Sequence, residues 1–319
     1  LVGAFNHLHI FIDPNPNVAK SFEERKRLFE LPRSNWTDYD PSLISEGGGI
    51  FLRTAKSIPI SEAMKVRFGI TQDKLEPNEL IKTLLRSEVD LLWNGGIGTY
   101  IKSSKETNHD VGDKSNDLLR VNGAEVRAKV LGEGGNLGCT QLGRVEYAER
   151  GGRLNTDAID NSAGVDCSDH EVNIKILLNG VVAEGLLTER QRNELLANMT
   201  DEVAELVLRH NRSQTEALSI ANFHAEEYTE MHGRLMQFLE KNANLNRDVE
   251  FLPDLEKLLE RKQKLLGLTR PELAVLLAYV KIYLKEALLA SSVPDEPYME
   301  SYLLNAFPKV LQQQFPQQM

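Results

Sequence analysis

Two apolar runs in this chain end in the same way, and that repetition constrains the fold more than any other feature. Val89–Asn94 (VDLLWN) runs into Gly95-Gly96-Ile97-Gly98, and Val126–Gly132 (VRAKVLG) runs into Glu133-Gly134-Gly135-Asn136. Short apolar runs alternating with helical patterns are the signature of βα units and a parallel sheet. Glycine at a strand end removes the Cβ that would block close approach of a ligand or another backbone. In open α/β sheets, ligands bind outside the carboxyl ends of the strands. Two parallel strands ending in glycine and asparagine therefore bring Asn94, Gly95, Gly96, Gly135 and Asn136 to one crevice. The alternative is that each stretch is only a tight turn.

The surrounding pattern fits such a sheet. LVGAF (Leu1–Phe5) and HIFID (His9–Asp13) read as strands, FEERKRLFEL (Phe22–Leu31) as a short amphipathic helix, and Gly47-Gly48-Gly49 as a flexible turn. ELIKTLLRS (Glu79–Ser87) is a helix leading directly into the first glycine-ended strand, and GRLNTDAIDNSAGVD carries a short strand and a loop into a long helix. From about Gly180 the texture is helical only. Ile174, Leu177, Leu178, Val181 and Val182 form one apolar stripe, and Leu273, Leu276, Leu277, Val280 and Leu284 form another after a capping box at Thr269–Glu272. The expected class is α/β: a truncated Rossmann-like parallel sheet over residues 1–186, followed by an all-α helical domain over residues 187–319.

A length of 319 residues is enough for about two domains with ample cores. The net charge of −10 argues against nucleic acid as a main partner, because phosphate contacts need Lys/Arg patches. Cys139 and Cys167 are too few for a Cys-rich structural zinc site or a disulfide framework. No apolar run approaches the ~18 residues of a membrane span, so neither a membrane partner nor a signal peptide is indicated, and a cytoplasmic protein is expected. The chain opens inside a strand-like run and closes on QQQFPQQM, which suggests a piece of a longer protein.

The dinucleotide fingerprint G-x-G-x-x-G is absent: Gly132-Glu133-Gly134 begins it, but Leu137 takes the third position. If LVGAF is the second strand of a Rossmann sheet, the phosphate loop lies upstream of Leu1. Asn6 then stands where an acid often holds ribose hydroxyls; otherwise it begins a turn. Asn136 and Asn161 each carry two donors and two acceptor lone pairs, suited to gripping a flat carboxamide, and both types also serve in turns. Ser168 opens a Ser-Asp-His-Glu run that fits a capping box, or it sets a hydroxyl beside a helix N-terminus to meet a substrate carboxylate. Consecutive helical side chains face different ways, which argues against a hydrolase triad in Cys167–His170. His7 and His9 share a strand face but lack a third ligand, so no metal is expected.

The stretches VDLLWNGGIGTYIK, AKVLGEGGNLGCTQLGR and GGRLNTDAIDNSAGVDCSDHEVNIKILLN resemble the large, bacterial-type NAD-specific glutamate dehydrogenases, as do HIFIDPNPN, SFEERKRLFELPRSNW and GLTRPELAVLLAY. Glu133–Asn136 looks like the Gly-Ala-Asn turn of smaller amino-acid dehydrogenases, and Asn161–Ser168 looks like their Asn-Ala-Gly-Gly-Val-x-x-Ser motif with two small-residue swaps. The resemblance implies NAD as cofactor and L-glutamate and 2-oxoglutarate as substrates. It sets Gly95 and Gly96 against the nicotinamide half, gives Asn136 and Asn161 the ribose and carboxamide, and gives Ser168 the glutamate carboxylate. Asn6 departs from the acid that many relatives carry. The resemblance also implies that the catalytic Lys and Asp precede Leu1, that this chain alone is inactive, and that the full protein is a homo-oligomer. Two other readings are a dehydrogenase for another amino acid, and a non-catalytic assembly or regulatory module.

Overall fold

Only Asn6, His7 and Leu8 separate the first two strands, β1 (Gly3–Phe5) and β2 (His9–Ile12). Parallel neighbours need a crossover of about a dozen residues or more, so so short a link permits only a hairpin. In the computed structural model, which describes residues 1–319, β1 and β2 are antiparallel, with Gly3 opposite Ile12 and Phe5 opposite Ile10. The expectation that Leu1–Phe5 is the second strand of a parallel Rossmann-like sheet is therefore corrected. Helix α1 (Val18–Glu30) starts earlier than its apolar pattern suggests, because the Asn17 side chain caps it by accepting from the Lys20 amide. Strand β3 (Gly49–Leu52) pairs antiparallel on the other side of β2, which leaves all four β2 residues buried. Gly49 thus begins a strand, and the glycine turn is confined to Gly47 and Gly48.

Strands β4 (Ile58–Pro59) and β5 (Lys74–Leu75) pair antiparallel around α2 (Glu62–Phe68). Helix α3 (Pro77–Leu85) then leads into β6 (Leu91–Asn94), as its pattern predicts. After β7 (Ile101–Lys102), the short helix α4 (Asn108–Val111) and β8 (Val121–Asn122), the chain enters β9 (Val130–Glu133). β6 and β9 are parallel, with Leu91 opposite Val130 and Asn94 opposite Glu133; β7 and β8 are parallel too. Single bridges add Cys139 beside Ile101 and Arg153 beside Val130. The parallel ladders are two-stranded and short, because glycine and asparagine end them. The architecture is mixed α/β and falls short of the expected Rossmann-like sheet.

Helix α5 (Gln141–Glu149) follows β9, and after Leu154 the only regular elements are helices: α6 (Asp157–Asp160), α7 (Ser162–Ala183), α8 (Glu189–Asn198) and α9 (Thr200–Phe223). Then come α10 (Thr229–Asn242), α11 (Leu255–Gln263), α12 (Arg270–Leu289), α13 (Glu300–Asn305) and α14 (Lys309–Gln314). The capping box at the start of α12 forms, with the Thr269 amide donating to Glu272 Oε2. One core gathers Ile10, Ile12, Leu80, Leu131 and Tyr147 from the strand-bearing part. A second gathers Met236, Leu239, Leu258 and Leu273, and a third packs the α7 stripe of Ile174, Leu177, Leu178 and Val181 against Met199 and Leu311. The α12 stripe is buried at Leu273 and Leu276, but Leu284 is 52% exposed. No helix is long and apolar enough to cross a membrane.

Candidate functional site

The in-register pairing of Asn94 with Glu133 makes β6 and β9 end level with each other. The Gly134 amide donates to the Asn94 carbonyl at 2.8 Å, so both turns leave the sheet from the same edge. A Cβ on Gly135 would stand 2.6 Å from the Gly96 carbonyl oxygen; the two turns touch because neither has a side chain between them. Asn161, in the link between α6 and α7, donates from Nδ2 to Asn136 Oδ1 at 2.8 Å. Gly96, Gly135, Asn136 and Asn161 thus meet at one rim. Gly96 itself has no atom within 4 Å of the place its Cβ would occupy, so that side of the rim is open.

Several glycines have protein, not open space, where a side chain would go. Cβ atoms on Gly132 and Gly134 would lie 2.6 and 2.4 Å from the Trp93 ring, and one on Gly138 would lie 1.9 Å from Asn94 Nδ2. The partial G-x-G is therefore a seat for the Trp93 indole. The Asn94 side chain is wedged against Gly138, its Nδ2 buried without a partner beside a small cavity of about 50 Å³ lined also by Phe5, Tyr100 and Cys139. What Asn94 offers the rim is its backbone.

The rim rests on buried charge. Glu133 is fully buried and receives Arg144 Nε at 2.7 Å on Oε2, with Arg144 Nη2 at 2.9 Å and the Cys139 amide at 2.9 Å on Oε1. Arg144 also reaches Asp157 at 3.1 Å. Asp157 Oδ2 accepts from the Leu137 amide, and Asp160 Oδ2 accepts from the Glu133 amide. Burial pushes the Glu133 carboxyl above the ordinary glutamate value, against the opposing pull of Arg144. Leu137 takes a left-handed φ of 56°, uncommon for a branched residue, and is held there by Asp157 and by Thr99 Oγ1, which donates to its carbonyl. This network was missed in the sequence. Glu133 and Arg144 carry no spacing that marks them as partners, and nothing about Leu137 announces a positive φ.

The remaining residues fall into two groups. Ser168 lies seven residues into the α6–α7 segment after Asn161, and its hydroxyl donates to the Gly164 carbonyl. It is exposed and inside the helix, so the capping-box expectation is corrected: α7 already begins at Ser162. Asn6 accepts from the Leu8 and His9 amides at 2.9 and 2.8 Å, which commits its oxygen to its own hairpin turn. His7 is exposed in that turn while His9 is buried in β2, so the two do not act as a pair. A cavity of about 1420 Å³ runs along the Leu91–Trp93 face of the parallel pair toward α11 and α12 and is lined by none of Gly96, Asn136 and Asn161. Two of its cations are already engaged: Arg261 pairs with Glu272 and Glu149, and Arg270 bonds Asn155. The rim, with free hydrogen-bonding groups, is the better candidate.

Comparison with known proteins identifies the family. Residues 1–221 match the family model described as bacterial NAD-glutamate dehydrogenase, catalytic domain, and residues 265–319 match glutamate dehydrogenase, C-terminal. The chain is 62% identical over 315 residues to the NAD-specific glutamate dehydrogenase of Pseudomonas aeruginosa and 57% identical over 319 residues to that of Halomonas elongata. It is 50% identical over 321 residues to the enzyme of the same name from Mycobacterium tuberculosis. These alignments take in 99 to 100% of this chain but only 19 to 20% of each relative. The chain spans about a fifth of the length of the curated relatives it matches.

Proposed function

Because the chain belongs to the bacterial NAD-glutamate dehydrogenase family, we propose that its paired strand ends form the nicotinamide side of an NAD site. On this reading the longer protein oxidises L-glutamate to 2-oxoglutarate and ammonia. The observation that carries it is the Asn161–Asn136 hydrogen bond beside Gly96. That bond uses the Asn136 oxygen and one Asn161 N–H. It leaves the Asn136 amide group as a donor and the Asn161 oxygen as an acceptor. A carboxamide presents the complementary pair, and the open side of Gly96 lets a flat ring approach without meeting a side chain.

NAD, when bound, supplies the hydride acceptor. The chain's own residues bind and orient. Gly95 and Gly96 lie along the ring, Gly135 keeps the two turns in contact, and the Asn94 carbonyl ties the second turn to the first. Asn136 and Asn161 hold the carboxamide and ribose. Ser168 follows Asn161 by seven residues, which puts it on the same face about 10 Å along the helix axis, a span suited to a glutamate carboxylate across the cleft. Asn6 drops out of this reading, because the strand it follows belongs to the antiparallel sheet and its oxygen is held by its own hairpin turn. The Lys and Asp that activate water for imino-acid hydrolysis belong to the longer protein outside residues 1–319, and the chain alone turns over no glutamate.

The test is steady-state kinetics on the full-length protein. Asn136→Ala is expected to raise KM for NAD about tenfold, the cost of a hydrogen bond of about 1.4 kcal/mol, and to leave KM for glutamate unchanged. An unchanged NAD KM would overturn the cofactor role, and NADH formation by residues 1–319 alone would overturn the division of labour.

A further inference from the structure

We propose that Asp166, His170 and His210 form a binding site for one divalent transition-metal ion, independent of the NAD crevice. Asp166 and His170 are one turn apart on α7, so both side chains leave the same face, and α9 lays His210 against them. His210 Nδ1 stands 2.9 Å from Asp166 Oδ2 and 3.2 Å from Oδ1. His170 Nε2 stands 3.9 Å from Asp166 Oδ1. One ligating atom from each of the three residues lies within 4.8 Å of the others. Around a zinc ion with bonds of about 2.0–2.1 Å, tetrahedral ligand atoms sit roughly 3.3–3.5 Å apart, which small rotations of these side chains would reach.

The donor chemistry points the same way. Two imidazoles and a carboxylate make a set that suits Zn²⁺ and its first-row neighbours, whereas Ca²⁺ and Mg²⁺ prefer oxygen alone. A simple ion pair would account for His210 and Asp166 but leaves His170 unexplained. That ring is 7% exposed by side chain, and 3.9 Å is beyond hydrogen-bond reach of its nearest carboxylate. The two imidazoles also stack at 5.4 Å with an interplanar angle of 16°, which keeps both rings side by side above Asp166. A shared cation satisfies all three groups at once. His210 and Asp166 keep 42% and 23% of their side chains exposed, so the ion would retain open positions toward solvent, as in sites with three protein ligands.

The experiment strips the full-length protein with EDTA and titrates it with Zn²⁺ by calorimetry, alongside His210→Gln and Asp166→Asn. His210 is the most exposed of the three ligands, so its variant is the one least exposed to a folding defect, and circular dichroism verifies the helices. The expected result is one Zn²⁺ equivalent per chain whose affinity falls at least tenfold in each variant. Co²⁺ in place of Zn²⁺ is expected to give visible d–d absorption that His210→Gln removes. Equal Zn²⁺ uptake by the wild type and both variants, or no saturable uptake by the wild type, would overturn the site.

Discussion

The indole of Trp93 occupies the space that a side chain at Gly134 would need: a Cβ there would meet Trp93 Cζ2 at 2.4 Å. Trp93 sits on β6 and Gly134 just beyond β9, so one missing side chain on one strand is filled from its parallel neighbour. Trp93 is 56% exposed and can shift aside, so Gly134→Ala is expected to destabilise the protein by only about 1 kcal/mol. Trp93→Leu in the same chain should recover part of that loss. Denaturant melts of the two single variants and the double variant measure the coupling; strictly additive effects would mean the indole does not fill that space.

The Glu133–Arg144 pair is expected to behave as a buried ion pair does. Arg144→Met leaves a buried carboxylate without its cation and should cost about 3–5 kcal/mol, while Glu133→Leu combined with Arg144→Met should cost much less. Urea unfolding of both proteins decides this. If the double variant is no better than the single one, the loss comes from packing and not from the stranded charge.

Acid stability should report Glu24. Its carboxyl is held below the ordinary glutamate value chiefly by Arg27, at 2.6 and 2.8 Å, helped by the Asp40 amide. A depressed folded value means this stabilisation is present above the unfolded pKa of about 4.5 and fades as pH falls through the folded one. Glu24→Gln is therefore expected to lower Tm at pH 7 and to approach the wild type as pH drops below that value. A Tm gap that stays constant from pH 7 to pH 3 would rule out the linkage.

Ser168→Ala isolates the substrate side of the proposal. The hydroxyl's one bond in the structure returns to Gly164, and alanine favours helix, so stability should hold or rise slightly. In the full-length protein, KM for glutamate is expected to rise about tenfold with KM for NAD unchanged. An unaltered glutamate KM would remove Ser168 from the substrate's reach.

The strand ends were legible because glycine and asparagine mark them locally, and the helical half because its stripes repeat at helical spacing. The capping box at Thr269 was legible for the same reason, since three residues suffice to define it. Ser168 offered an equally good local pattern, but Ser162–Cys167 contain nothing that forbids helix, so α7 starts before it. The three-residue link between LVGAF and HIFID carries the hairpin in plain view, and it is what excludes LVGAF as the second strand of a Rossmann sheet. The occupants of the glycine vacancies, Trp93 and Asn94, and the partnership of Glu133 with Arg144 depend on contacts between distant segments, which periodicity does not encode.

Arg144 grips the end of β9 through Glu133 and the start of α6 through Asp157, while Asp160 holds the backbone amide of Glu133 and Asp157 that of Leu137 in the turn that follows. The torsions that shape this wall are thus frozen before any guest arrives. A nucleotide docking there would surrender its own freedom while demanding little further ordering from its host, so affinity would come from preorganisation.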